Sequence, residues 1–229
     1  MKELLNKFSF KSDLLFKELS KMEMRYFLDI CEDLSFKKGN VLFYEGGIPT
    51  GVYFIQSGLA KKYTTGLEGK EQVVYVYKKM DLFGYHALLC NERYQDSCEA
   101  LTDLEVKFIS KDQFLLLQKK IPSFQNSIIR NISHEFGVLA NTVALIAQKS
   151  LINRLIIFLL ILNDRFDYNG INISRQDLAN LVGATKESLG RSLKELRNNG
   201  QIKIQKRIIC IPNKEDLYNV VLRQNISEL

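Results

Sequence analysis

The stretch Ser174-Arg-Gln-Asp-Leu-Ala-Asn-Leu-Val-Gly-Ala-Thr-Lys-Glu-Ser-Leu-Gly-Arg-Ser-Leu-Lys-Glu-Leu-Arg-Asn-Asn-Gly200 decides how the whole chain is read. Ser174, with Asp177 three residues on, gives a capping-box-like start to a short helix. Val182-Gly-Ala is a tight turn, because Gly183 takes a positive φ without steric cost. Thr185 caps a second helix that runs to about Asn198, and Gly200 ends it. Helix, three-residue turn containing glycine, helix: this is the helix-turn-helix signature.

The second helix divides into two faces. Leu189, Leu193 and Leu196 share one side and pack on Leu178, Leu181 and Val182 of the first helix. The other side carries Lys186, Glu187, Gly190, Arg191 and Lys194. A guanidinium bonds guanine O6 and N7 together, and a carboxylate accepts from cytosine N4, so Arg191 and Glu187 suit reading of a major groove. Gly190 lets the helix approach the base edges. Ile202-Lys-Ile-Gln alternates at period two and is answered by Ile208-Ile-Cys-Ile across Lys206-Arg207. That hairpin is a wing whose basic tip, Lys206 and Arg207, lies near backbone phosphates. Charge placement agrees: the net charge is +6, and seven basic residues face two acidic ones between Lys186 and Arg207. Double-stranded DNA is the expected partner.

Working outward, residues 1–35 read helical, with Leu14, Leu15, Leu19, Met22, Tyr26 and Phe27 at helix-like spacing. From Phe36 to about Ile109 the pattern becomes short β-type runs separated by glycines, which suggests a β-barrel or jelly roll. After Pro122 a long helix begins. Ile129, Ile132, Phe136, Leu139, Val143 and Ile146 follow one another at 3, 4, 3, 4, 3, the seam of a coiled coil. Ile128, Val138, Leu145 and Ala140 widen the stripe, so one face holds the roll and another a second subunit. A helix over Ser150–Asn163 and a turn over Asp167-Tyr-Asn-Gly170 precede the helix-turn-helix. The expected class is α+β, with residues 1–122 a sensor roll, 123–149 a dimerisation helix and 150–229 a winged helix.

Composition excludes other classes. Across 229 residues the chain is 46% hydrophobic and 25% charged, with three prolines, which fits neither a disordered nor a fibrous protein. The longest apolar run, Leu155 to Leu162, is far short of the roughly 20 residues of a membrane span, so no membrane association is expected. The charged start Met1-Lys-Glu-Leu-Leu-Asn-Lys is unlike a signal peptide, and Cys31, Cys90, Cys98 and Cys210 form no C-x-x-C pair. Both point to a cytoplasmic protein. His86 and His134 lie in different elements, with no H-x-H or H-E-x-x-H, so neither a metal site nor catalysis is expected. Cys90 and Cys98 remain open as redox thiols or as buried free cysteines.

These residues resemble the Crp/Fnr family of bacterial transcription regulators, over nearly the whole chain. In the roll the resemblance rests on Lys38-Gly-Asn-Val-Leu-Phe-Tyr-Glu-Gly, Val52-Tyr-Phe-Ile-Gln-Ser-Gly and Asp81-Leu-Phe-Gly84. In the C-terminal part it rests on Ser174-Arg-Gln-Asp-Leu-Ala, Val182-Gly and Lys186-Glu-Ser-Leu-Gly-Arg. It implies a dimeric sensor with a double-stranded β-roll, a long dimer helix and a winged helix, with RNA polymerase as a further partner. It places Lys186, Glu187 and Arg191 on bases, and Arg175, Gln176, Thr185 and Ser188 on phosphates, where Lys194, Lys206 and Arg207 add positive charge. Half-sites resembling TGTGA follow, degenerate at the Lys186 position because lysine lacks arginine's bidentate fork.

The effector residues match the family less well. The resemblance puts an effector pocket around Gly84, Tyr85, His86, Ser97 and Leu139. Cyclic-nucleotide binders follow the Phe-Gly with Glu for the ribose, and later carry Arg-Ser or Arg-Thr for the phosphate. Here Tyr85 follows Gly84, the segment before Ala100 reads Tyr94-Gln-Asp-Ser-Cys-Glu, and Arg93 stands about two positions early. A buried phosphate without a cation is costly, so cyclic AMP is disfavoured and a smaller or more apolar ligand is expected. An iron–sulfur cluster needs closely spaced N-terminal cysteines, which Cys31 alone cannot supply. His86 or His134 as a haem ligand is a lesser option beside an ordinary hydrogen-bonded histidine. A nucleotide-binding module of a kinase or channel is the competing class, and it predicts an intact pocket without a winged helix.

Overall fold

A computed structural model describes residues 2–10, 16 and 19–227. By contacts they form two compact units, Phe10–Val138 and a second made of Leu139–Leu229 with Met1–Ser9. The division therefore falls inside the long helix, and the first residues group with the C-terminal unit, whereas the sequence reading assigns them to the roll.

In the unit Phe10–Val138, α2 (Lys21–Asp29) is capped by Ser20, whose hydroxyl accepts from the Glu23 amide while Glu23 reaches back to the Ser20 amide. Leu14 and Leu15, part of the expected helical pattern, lie outside the described residues. The helical reading of residues 1–35 needs one correction at its end: Glu32–Phe36 is a strand, β1. Its backbone pairs in register with Leu104–Phe108, and this long-range pairing overrides the local pattern.

The remaining strands are β2 (Val41–Phe43), β3 (Gly51–Ser57), β4 (Ala60–Thr65), β5 (Glu71–Tyr77), β6 (Leu82–Phe83), β7 (Ser97–Ala100) and β8 (Leu104–Ser110). They form two antiparallel four-stranded sheets, ordered β1-β8-β3-β6 and β2-β7-β4-β5. Non-consecutive neighbours in both sheets are the mark of a jelly roll. Stacked rings fill the interior: Phe43 on Tyr94 at 3.9 Å, Tyr53 on Phe83 at 5.4 Å and Tyr77 on Phe83 at 4.5 Å. A second cluster joins Phe16, Phe27, Phe54, Phe114 and Phe124. It seats α3 (Tyr85–Cys90), α4 (Lys111–Lys120) and the start of α5 (Pro122–Gln148) on the roll.

Helix α5 begins on proline, whose fixed φ suits a first helical turn. Its buried residues Phe124, Ile128, Asn131, Val138, Thr142 and Leu145 follow one stripe. A second stripe stays open to solvent, with Ile129 57%, Phe136 74% and Val143 67% exposed. Ile132 is exposed as well, and Leu139 and Ile146 are half-buried.

In the other unit α6 (Leu151–Arg165) is apolar almost all round. α7 (Arg175–Val182), α8 (Lys186–Asn198) and the C-terminal α9 (Lys214–Ser227) complete its helices, and α1 (Lys2–Phe8) belongs with them. The hairpin β9 (Lys203–Gln205) and β10 (Ile208–Cys210) follows α8, and Ile171 bridges to Ile209 at its edge.

Close backbone approach in the roll makes a stability prediction. A Cβ at Gly51 would press on the Ile109 carbonyl and the Phe108 ring, where β3 crosses β8. Gly51→Ala should lower unfolding stability by about 1–3 kcal/mol, as overpacking does, read as a lower urea midpoint at unchanged slope. An unshifted midpoint would show that the sheet yields freely there.

Candidate functional site

Local chemistry builds the helix-turn-helix. The Ser174 hydroxyl accepts from the Asp177 amide at 2.9 Å and starts α7. Gly183, at φ +66, caps its end in the left-handed region. The Thr185 hydroxyl then accepts from the Ser188 amide at 3.2 Å and starts α8. Leu189, Leu193 and Leu196 are buried, as are Leu178, Leu181 and Val182 facing them. Burying three leucines removes roughly 1.5–3 kcal/mol per side chain from water, which fixes α8 by its apolar side alone. The other side stands free for a partner: Lys186, Glu187, Gly190, Arg191 and Lys194 are all exposed.

Arg191 rests its guanidinium on the Ser188 hydroxyl at 3.1 Å. The Glu187 carboxyl is held below the usual range, first by its own backbone amide and next by the Thr185 hydroxyl. It is therefore an ionised acceptor at the helix start. Thr185, Gln176, Lys206 and Arg207 are exposed and Ser188 half-buried. At the tip of the wing Lys206 and Arg207 both take positive φ, 46° and 77°, as a two-residue type I′ turn demands. Arg175 plays a part that sequence reading missed. It is half-buried and donates to the Arg207 carbonyl at 3.3 Å, so it ties the start of α7 to the wing tip. Burial, and then the Arg207 charge, lower its pKa.

In the roll, four of the five expected effector residues share the unit Phe10–Val138: Gly84, Tyr85, His86 and Ser97. Leu139 belongs to the other unit. Gly84 turns the chain at φ +90 to start α3. Tyr85 is 2% exposed. Its hydroxyl donates to Glu135 Oε1 at 2.5 Å, and Asn131 Nδ2 donates to both, at 2.6 Å to Tyr85 and 2.7 Å to Glu135. Ser97 Oγ accepts from the Glu45 amide at 2.9 Å, which serves a loop. His86 Nε2 lies 3.0 Å from Asp96, and Lys62 Nζ 2.8 Å from the same oxygen. Burial pushes the Asp96 carboxyl up, but the His86 bond and the Lys62 charge outweigh it and hold it below the ordinary value.

A cation does stand beside the segment before Ala100, Lys62 of β4, and the chain's own Asp96 pairs with it. The only sequence signal for it was a paired Lys61-Lys62 inside a strand. Arg93 is turned to the Gly46 carbonyl at 2.8 Å. As for the thiols, Cys98 is fully buried with a raised pKa and Cys90 is exposed. Among the described residues no group of three or more His, Cys, Asp or Glu side chains is placed to hold a metal ion.

Comparison with known proteins follows the same division. A cyclic nucleotide-binding domain family matches residues 33–120, and a Crp-like helix-turn-helix family matches 153–220. Among curated relatives, the anaerobic regulatory protein of Aggregatibacter actinomycetemcomitans is 29% identical over 188 residues, 79% of this chain and 73% of its own. The fumarate and nitrate reduction regulatory protein of Yersinia pestis is likewise 29% identical, over 79% of this chain and 75% of its own. Among solved structures, FixK2 from Bradyrhizobium japonicum aligns with TM-score 0.76 at 21% identity, over 83% of this chain and 96% of that one. The c-di-GMP-responsive regulator CLP of Xanthomonas campestris aligns at 0.73 with 18% identity, over 85% and 100%. At those identities the two structures speak for the fold alone.

The Tyr85–Glu135 contact predicts a pH dependence. Burial pushes the Glu135 carboxyl from 4.5 up to about 7, against the Tyr85 bond and the Lys62 charge, which lower it. The fold therefore favours the protonated form, and that stability is complete below pH 4.5 and lost as pH rises through about 7. Glu135→Gln keeps the acceptor for Tyr85 and Asn131 while removing the charge. Thermal unfolding of the unmodified protein should fall between pH 5 and pH 8, and the variant should lose most of that slope. Parallel profiles would contradict the assignment.

Proposed function

The chain belongs to the Crp/Fnr family of DNA-binding transcription regulators, and from that premise we propose that it works as a homodimer that reads a pseudo-palindromic duplex under control of a signal sensed by its β-roll. The observation that carries this reading is the exposed face of α8. Lys186, Glu187 and Arg191 project from a helix held only by its opposite side. Two such helices on one dyad meet half-sites about one helical turn apart.

The open stripe of α5 supplies the dyad, through Ile129, Ile132, Phe136, Leu139, Val143 and Ile146. Large apolar side chains such as Phe136 and Val143, left 74% and 67% exposed in a single chain, are what a coiled-coil seam presents before pairing. Gln176, Thr185, Ser188 and Lys194 flank the reading face and serve phosphates, as do Lys206 and Arg207 at the wing. Arg175 acts there chiefly by setting the wing. The relatives it matches are named as regulatory proteins, which supports an action by binding. RNA polymerase is the further partner this reading implies, and the cytoplasm its compartment. No helix among the described residues is long and apolar enough to cross a membrane.

Cyclic AMP does not fit as the signal. Tyr85 is spent on Glu135, Lys62 is matched by Asp96, and Arg93 is turned to the Gly46 carbonyl, so a buried phosphate would have to draw a cation away from its present partner.

Two substitutions test the two halves of this reading. Val143→Asp places a charge in the seam and should give a monomer by light scattering, with operator binding lost. A dimeric variant would remove the seam from α5. Arg191→Ala should cost about 1–3 kcal/mol in operator affinity and relax one base position. An equal loss on every sequence would make Arg191 a phosphate contact instead.

A further inference from the structure

Residues up to Ser9 belong by contacts to the DNA-binding unit, while Phe10 is the first residue of the roll unit. Its ring lies flat on Tyr75 of β5, with centroids 3.6 Å apart and planes 11° from parallel. Tyr77 closes a second side, tilted by 54° at 6.0 Å. The Phe10 amide donates to the Tyr75 hydroxyl at 2.7 Å, and the residue is 6% exposed. One strand therefore receives a flat ring on its tyrosine face and an N–H on its tyrosine oxygen. Both come from a single residue, Phe10.

We propose that this Tyr75–Tyr77 slot is the roll's ligand site, that it takes an aromatic amino acid or its amide, and that Phe10 is its built-in occupant. The class follows from the contacts. The slot offers a flat ring face and a hydroxyl acceptor side by side, and the N–H that bonds Tyr75 is separated from the ring by Cα and Cβ, the spacing of an aromatic amino acid. The surroundings argue for a molecule without net negative charge. Lys62, opposite Tyr75 in the β4–β5 register, is already matched by Asp96 at 2.8 Å. Tyr77 lies in the field of Glu135 and Asp96, two carboxyls that disfavour further negative charge there. Ligand and Phe10 exclude one another, so binding displaces the Phe10 ring from the slot. This rests on the reading that the roll senses a signal, but its test needs no DNA, so its failure would leave the DNA-binding reading untouched.

The protein contains no tryptophan, so Phe10→Trp installs a single reporter in the slot. Titration with N-acetyl-phenylalaninamide, which the reporter's excitation does not touch, should shift its emission to the red and saturate as the indole is expelled. Calorimetry should show Phe10→Ala binding the same amide at least tenfold more tightly than the unmodified protein, because the resident ring no longer competes. Tyr75→Phe added to Phe10→Ala should weaken the amide and leave toluene binding unchanged. Emission that never moves would overturn the proposal, and it decides alone if Phe10→Ala does not fold. Toluene binding Phe10→Ala as tightly as the amide would also overturn it, since a plain apolar cavity behaves that way.

Discussion

A single helix with two apolar faces is the constraint on which the rest depends. Along α5, Phe124, Ile128, Val138 and Leu145 are buried within the chain, while Ile129, Phe136 and Val143 remain open. One face suffices to hold a helix on its own domain. The second has no use in a monomer, and exposed apolar area of that kind favours association. The proposed reading of DNA through two copies of α8 would use such a seam, because one short helix reads only a few base pairs and a dyad doubles the contact.

The polar groups of the roll carry the second theme. A pocket for an anionic ligand needs a free cation and a roomy, unpaired surround. This roll instead pairs its buried polar groups internally, Lys62 and His86 beside Asp96, and Tyr85 and Asn131 on Glu135. Breaking one partner of such a buried set is costly, because it leaves a charge or donor without solvent. The Tyr85–Glu135 bond also joins α3 directly to α5. Glu135, with a carboxyl pushed up to about 7, makes that joint responsive to protons.

The C-terminal unit was legible in the sequence because its signals are local. Ser174 and Asp177, Gly183, and the spacing of Leu189, Leu193 and Leu196 act within one or two helical turns, and all appear where the spacing puts them. The wing turn was legible too, although Lys206 and Arg207 adopt it without the Asn-Gly such turns favour. The roll's polar set was not. Lys62 meets Asp96 across 34 positions and Tyr85 meets Glu135 across 50, and nothing local to either pair announces the partner. Strand β1 was missed for the same reason, since its pairing with β8 is non-local. Helices α4 and α9 have ordinary caps at Ser110 and Asn213 but lack a strong apolar period. Arg175 shows the limit of carrying a role over from a resemblance: the residue expected on a phosphate bonds the wing backbone.

The most direct test of this account is selection of bound duplexes from a random pool by the purified full-length protein, with the mass of the resulting complex measured by light scattering. Two recognition helices on one dyad predict an enriched inverted repeat, with half-site centres about one helical turn apart, and two chains per duplex. Enrichment of a single half-site by one chain, or of no sequence at all at physiological salt, would contradict it.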